Sequence, residues 1–187
     1  MTTDKKMYYA YNPMLILSYL TKRREESTIL TKIAVDIGIS IGSAHGILKS
    51  FEAEGIVYSE RVGRSVLYRI NKYHPMVAPF RIMDTVIELN PLIEALKSKS
   101  KKIILFGSCA SGKDMSRSDV DLFVLTVTDQ KDDVSDAINH YVIDRTINPI
   151  IVDTFDLLDM ETNDKIFLEE IMKGKVLWED LWVLLES

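Results

Sequence analysis

Apolar positions recur along this chain with two different periods, and the switches between them mark its elements. Met14, Leu15, Leu17 and Leu20 follow helical spacing, behind Asn12 as a candidate cap and Pro13, which a first turn tolerates. A polar run over 21–27 ends that helix. Leu30, Ile33, Ala34 and Ile37 predict a second short amphipathic helix, and Gly38 can close it in the left-handed conformation. Ser40 then caps a third helix over 41–54, with Ala44, Leu48 and Phe51 inward, and Gly55 stops it. The period then falls to two. Segments 56–61 and 66–70 read as strands, and Val62, Gly63, Arg64 and Ser65 between them have turn chemistry.

The second half repeats neither pattern. Helical spacing covers 76–89 and 91–99, with Pro79 in a first turn or at a break. A short buried strand over 103–106 runs into Gly107-Ser108-Cys109-Ala110-Ser111-Gly112. A polar stretch follows, then Ser118-Asp119-Val120-Asp121 opens an apolar strand through Leu125. Asp132, Asp133 and Asp136 begin a helix toward Tyr141, placed to suit its dipole. A third strand over 147–152 ends at Asp153, and Asp156 is placed to cap the helix after it. Trp178 and Trp182 predict C-terminal core, and Cys109 a small residue packed at a helix start.

Composition refines this picture in one respect. At 187 residues, 47% apolar and 27% charged, the chain is neither globally disordered nor unusual. Its net charge of −5 argues against a wholesale polyanion binder. The charge is unevenly spread, however. Residues 1–75 carry 11 basic and 7 acidic side chains, and residues 76–187 carry 12 and 21. That asymmetry predicts two modules, 1–75 and 76–187, with any nucleic acid at the basic end. The single cysteine excludes an intramolecular disulfide and a cysteine-based zinc site. No stretch reads as a secretory leader or reaches the roughly 18 apolar residues of a membrane span, so a cytoplasmic protein without membrane partners is expected.

The candidate chemistry lies in the second half. On a strand, residues i and i+2 share a face, so Asp119 and Asp121 present paired carboxylates while Val120 and Leu122 face the core. Such a pair suits a hard divalent cation that also carries phosphates. A strand turning at Gly-Ser into a helix can offer backbone N–H groups to phosphate oxygens. A third carboxylate from a neighbouring strand would complete a two-metal site for nucleotidyl transfer.

Two stretches resemble known families. GISIGSAHGILKSFEAEGIVYSERVGRSVLYRIN resembles the winged helix-turn-helix domains of bacterial and archaeal transcription regulators, over about 12–72. The resemblance implies DNA binding by the third helix through Ser43, His45 and Lys49, and by a wing carrying Arg61, Arg64 and Arg69. The helix lacks Arg, Asn and Gln for bidentate base contacts, so phosphate contacts should dominate. LFGSCASGKDMSRSDVDLFVL resembles the hallmark of DNA polymerase beta-like nucleotidyltransferases, especially minimal prokaryotic members, over about 90–180. That resemblance implies triphosphate binding at Gly107, Ser108 and Lys113. It implies Mg²⁺, two ions, at Asp119, Asp121 and Asp153, with Asp156 competing for the third place. It also implies an NTP substrate, ATP foremost, with a protein, RNA or small-molecule hydroxyl as acceptor. Minimal members carry Arg where this chain has Ser111, and Lys113 and Arg117 lie nearby to replace the charge.

The expected fold is therefore α/β (α+β). An N-terminal winged helix precedes a nucleotidyltransferase fold with a small mixed sheet flanked by helices. The expected function is Mg²⁺-dependent nucleotidyl transfer fused to DNA binding, in a homodimer. Two alternatives stay open: a transcription regulator whose second domain only senses nucleotide or mediates assembly, and an inactive scaffold.

Overall fold

A computed structural model of the chain describes residues 11–23, 26–114 and 118–180. The chain divides between Arg81 and Ile82 into two units, each with its own buried core.

The first unit begins with α1 (Tyr11–Lys22), β1 (Thr28–Ile29), α2 (Leu30–Ile37) and α3 (Ile41–Ala53). The strands β2 (Val57–Val62) and β3 (Ser65–Ile70) follow as a hairpin. Gly38 takes φ +73 as the left-handed cap of α2. The Ser40 hydroxyl accepts from the Ser43 N–H at 3.1 Å to start α3. Both features follow from the sequence. The inward residues of α3, Ala44, Leu48 and Phe51, meet Ile16 and Leu20 of α1, Ile33 of α2, and Val57, Tyr68 and Ile70 of the hairpin. Each large side chain buried here contributes about 1.5–3 kcal/mol relative to exposure. The sheet order is β1-β3-β2, with every pairing antiparallel. Strand β1 was not predicted, because two residues carry no readable period.

The second unit starts within a helix. Sequence spacing predicts two helices here, but the chain forms one, α4 (Val77–Leu96). Pro79 lies in its first turn and Pro91 inside it. Pro91 leaves the Ile87 carbonyl without a helical donor, and Ile87 is exposed, so water can replace the lost bond. Next come β4 (Ser100–Phe106), α5 (Gly107–Ser111), β5 (Val120–Thr126), α6 (Lys131–Asn139) and β6 (Ile147–Val152). The helices α7 (Thr154–Asn163) and α8 (Lys165–Met172) lead to β7 (Lys175–Glu179).

The sheet runs β6-β5-β4-β7; β5 and β6 are parallel and the other pairs antiparallel. This is the mixed sheet expected. Ile103, Leu105, Val120, Leu122 and Val124 pack on one face with Leu89, Leu92 and Leu96 of α4 and Val134 and Ile138 of α6. On the other face, Ile104, Phe123 and Val152 pack with Ile171 of α8 and Leu157 and Met160 of α7. The central strands are covered twice, which is why they read as unbroken apolar runs.

Trp178 on edge strand β7 is half-buried and donates its indole N–H to the Ser100 carbonyl at 3.4 Å. It packs as core, as predicted. Trp182 and Arg117 lie outside the described residues. No helix among the described residues is long and apolar enough to cross a membrane.

Candidate functional site

The antiparallel pair β4–β5 brings the Gly-Ser turn to the acidic motif. Phe106 sits opposite Asp121, so the next residue, Gly107, lies against the Asp121 carboxylate. Gly107 has φ +68, and a Cβ added there would overlap that carboxylate, 3.2 Å from its Cγ. Both the backbone and the space therefore require glycine. Helix α5 leaves from this turn and ends at Gly112, φ +66. The Ser108 carbonyl accepts from the Ser111 hydroxyl at 3.0 Å and from the Lys113 N–H at 3.1 Å. Ser111 thus closes the turn locally, and the Lys113 side chain is exposed.

Buried Cys109 donates its thiol to the Asp119 carbonyl at 3.3 Å, tying α5 to the strand entry. This is the packing role expected of it. Behind it, the Arg145 guanidinium meets Glu88 at 2.5 Å, Asp114 at 3.4 Å and the Thr85 hydroxyl at 3.2 Å. Asp114 is only 2% exposed, so the nearby guanidinium offsets part of the cost of burying that charge.

Asp119 immediately precedes β5 and is exposed; Asp121 lies within the strand and is half-buried. The parallel register sets Asn148 of β6 beside Asp121. The Asn148 amide donates to Asp119 Oδ2 at 3.1 Å. Burial raises the Asp121 pKa, the Asn148 amide pulls it back, and the neighbouring Asp119 charge raises it further. Among the described residues neither carboxylate has a cationic partner.

Asp153 does not join them. Strand β6 runs parallel to β5, so Asp153 lies five residues beyond Asn148, about 16 Å along the strand. Its carboxylate caps α7, accepting from the N–H groups of Phe155 at 2.8 Å and Asp156 at 3.0 Å. Asp156 returns the contact by accepting from the Asp153 N–H at 3.0 Å, completing a capping box. Lys131 of α6 sits 3.0 Å from Asp153 and also pairs with Asp156. The Asp156 N–H, then Lys131, hold the Asp153 carboxyl below its ordinary pKa. The third-carboxylate role expected of Asp153, and its alternative Asp156, is thus not supported by placement.

Among the described residues, no group of three His, Cys, Asp or Glu is arranged to hold a metal. The residue that does face the acidic pair from the next strand is Asn148, which sequence reasoning missed. The signal was available: it is the second residue of the third strand, level with Asp121 once that strand is laid parallel. Two carboxylates with substrate phosphates remain a donor set that Mg²⁺ takes, since it is usually held by one or two carboxylates plus phosphate oxygens.

In the first unit, His45 and Lys49 are exposed on α3. Ser43 is half-buried and accepts from the Asn12 side-chain amide at 3.3 Å, so it is turned toward α1. Arg64 stands exposed beside Gly63 at the hairpin tip. Arg61 and Arg69 are exposed on opposite faces. Arg61 pairs with Val66, whereas Arg69 pairs with Tyr58, and those two positions alternate across the hairpin.

Residues 90–180 match the protein family described as polymerase beta, nucleotidyltransferase. This is the stretch in which the Gly-Ser and Asp-x-Asp pattern was read. No curated protein matches the chain. A solved structure that resembles it is the homodimeric winged helix-turn-helix DNA-binding domain, fragment 1–100, of a possible ArsR-family transcriptional regulator from Mycobacterium bovis. That similarity is at 21% identity and a TM-score of 0.37, covering 46% of this chain and 75% of that one. Residues 90–180, which carry the acidic corner, are thus similar to the polymerase beta nucleotidyltransferase family.

Proposed function

We propose that the second unit binds a nucleoside triphosphate as its Mg²⁺ complex at the corner formed by Gly107, Ser108, Asp119 and Asp121, and that the first unit binds DNA. ATP is the favoured nucleotide. The observation that carries this reading is the close fit of Gly107 against Asp121, which sets the Gly-Ser turn directly beside a carboxylate pair without a cationic partner among the described residues. The ion would be held by Asp119 and Asp121 and would supply charge neutralisation for the triphosphate. Ser108 and Lys113 would contact phosphate oxygens.

The reaction is transfer of a nucleoside monophosphate. An acceptor hydroxyl oxygen bonds to the α-phosphorus while the bond from that phosphorus to the bridging oxygen breaks. Pyrophosphate leaves, and the hydroxyl proton passes to a carboxylate of the pair. On the DNA side, Arg64, Arg61, Lys49 and His45 contact the backbone, as a homodimer reading two half-sites.

A second reading is favoured by one observation: an amide, Asn148, faces the pair in place of a third carboxylate. The unit would then sense Mg²⁺–nucleotide and alter DNA binding without turnover. Thermal shift with each NTP, with and without Mg²⁺, tests the shared premise. Incubation with α-labelled ATP separates the two readings. Label transferred with pyrophosphate release, lost in Asp119→Ala and Asp121→Ala, supports transfer. Nucleotide-dependent DNA affinity without pyrophosphate supports sensing. Absence of any Mg²⁺-dependent nucleotide stabilisation overturns both.

A further inference from the structure

The start of β5 is a place where three strands meet. Phe106 of β4 flanks Asp121 on one side and Asn148 of β6 on the other. Asn148, Ile150 and Val152 alternate onto one face of β6. Ile150 and Val152 pack in the cluster of Phe123 and Leu125, the face that Asp121 shares. Asn148 is therefore the β6 residue closest in register to the acidic pair and on its side of the sheet.

We infer that Asn148 sets the ion count of this site, restricting it to a single divalent cation that binds together with the triphosphate. The inference rests on the reading that Asp119 and Asp121 bind Mg²⁺–nucleotide, and it specifies how many ions that site accepts. Two arguments support it. The first is ligand supply. Asp119 and Asp121 provide the protein's carboxylate oxygens for one divalent ion, the remainder coming from the triphosphate. A second ion would need a further protein carboxylate facing the pair, and the Asn148 amide supplies no anionic oxygen.

The second argument is geometry. The Asn148 N–H donates to Asp119 Oδ2 at 3.1 Å, so that oxygen already has a hydrogen-bond partner and is less free to serve a second ion. The nearest carboxylate farther along β6, Asp153, is about 16 Å away by strand rise and engaged with Lys131. Asn148 acts here as a positioning residue, through Asp119. It is exposed at the strand start, so a carboxylate there would be accommodated without repacking the core.

The test counts ions directly. The full chain is mixed with an equal amount of α,β-methylene-ATP and titrated with Mn²⁺, and free Mn²⁺ is followed by electron paramagnetic resonance. The complex of the protein as it stands with nucleotide should hold one Mn²⁺ in total, Asn148→Asp two, and Asn148→Ala one. Thermal melting of each variant confirms that it is folded. Asn148→Ala removes the hydrogen bond without adding charge, so it separates loss of positioning from gain of a ligand. Two ions in the unmodified protein, or one in folded Asn148→Asp, would overturn the inference while leaving the nucleotide site standing. Mn²⁺ held with nucleotide no more tightly in the presence of any form than by the nucleotide alone would overturn the underlying reading as well.

Discussion

The two ends of the β5–β6 strand pair carry the same side chain in opposite employment. At the start of β5, Asp119 and Asp121 stand together with an amide beside them and no cationic partner among the described residues. At the end of β6, Asp153 and Asp156 close a capping box and share Lys131. The electrostatic consequences diverge accordingly: Asp121 is pushed up, Asp153 and Asp156 are pulled down. A carboxylate that already has its hydrogen bonds and its cation is structural. A carboxylate crowded by another, with a glycine packed against it and no cation beside it among the described residues, is the one we propose takes a ligand.

The comparison can be broken most forcefully from behind the site. Arg145→Met should destabilise the protein by about 3–5 kcal/mol, because the buried Asp114 and the partly buried Glu88 would both lose its guanidinium. Denaturant unfolding reads this, and a loss below 1 kcal/mol would mean that the cluster is solvated. Next, Asp121→Ala should weaken Mg²⁺–ATP binding by more than about 100-fold, whereas Asp153→Ala should leave it unchanged and lower Tm by several degrees. Calorimetric titration and melting together decide this; equal binding losses in both variants would return Asp153 to the site. Gly107→Ala should cost at least about 1–2 kcal/mol for the left-handed backbone alone, with a parallel loss of nucleotide affinity from crowding of Asp121.

The far end has a pH signature. The pKa values of Asp153 and Asp156 are lower in the folded chain, so their contribution is complete above the ordinary carboxylate range, near about 4. It is lost as pH falls through the depressed values. Lys131→Met should therefore be less stable than the unmodified protein at neutral pH and converge with it in strong acid. Curves that stay parallel throughout would remove Lys131 as the cause. The smallest effect belongs to the first unit. Arg64→Ala should reduce the slope of log affinity for DNA against log salt by about 1, and Arg69→Ala should change it less.

Much of this was readable from local signals. Gly38 and Ser40 announce their caps, and the alternation around Gly63-Arg64 announces the hairpin. The strand, Gly-Ser and Asp-x-Asp order announces the acidic corner. These features depend on neighbours a few residues apart. What local signals left out depends on contacts far apart in sequence. Pro91 suggests a break, yet packing of Leu89, Leu92 and Leu96 on the sheet carries the helix through it. Strand β7 is held by pairing with β4, about 70 residues earlier in the chain. A search for a third acidic residue finds Asp153, because an aspartate at a strand end attracts that role. The register of the parallel pair, which local signals do not carry, instead places the amide of Asn148 beside Asp121.

The buried cluster around Arg145 has an operational consequence. Charges shut away from solvent are poorly screened, whereas arginines on an exposed wing are screened within a few ångströms at high ionic strength. Salt should therefore act as a selective solvent for the two proposed activities. A wash at high ionic strength would strip DNA from the chain while the phosphate corner, set on its interior ion pairs, keeps its shape. Whatever nucleotide travels with the protein could then be eluted and identified free of nucleic acid.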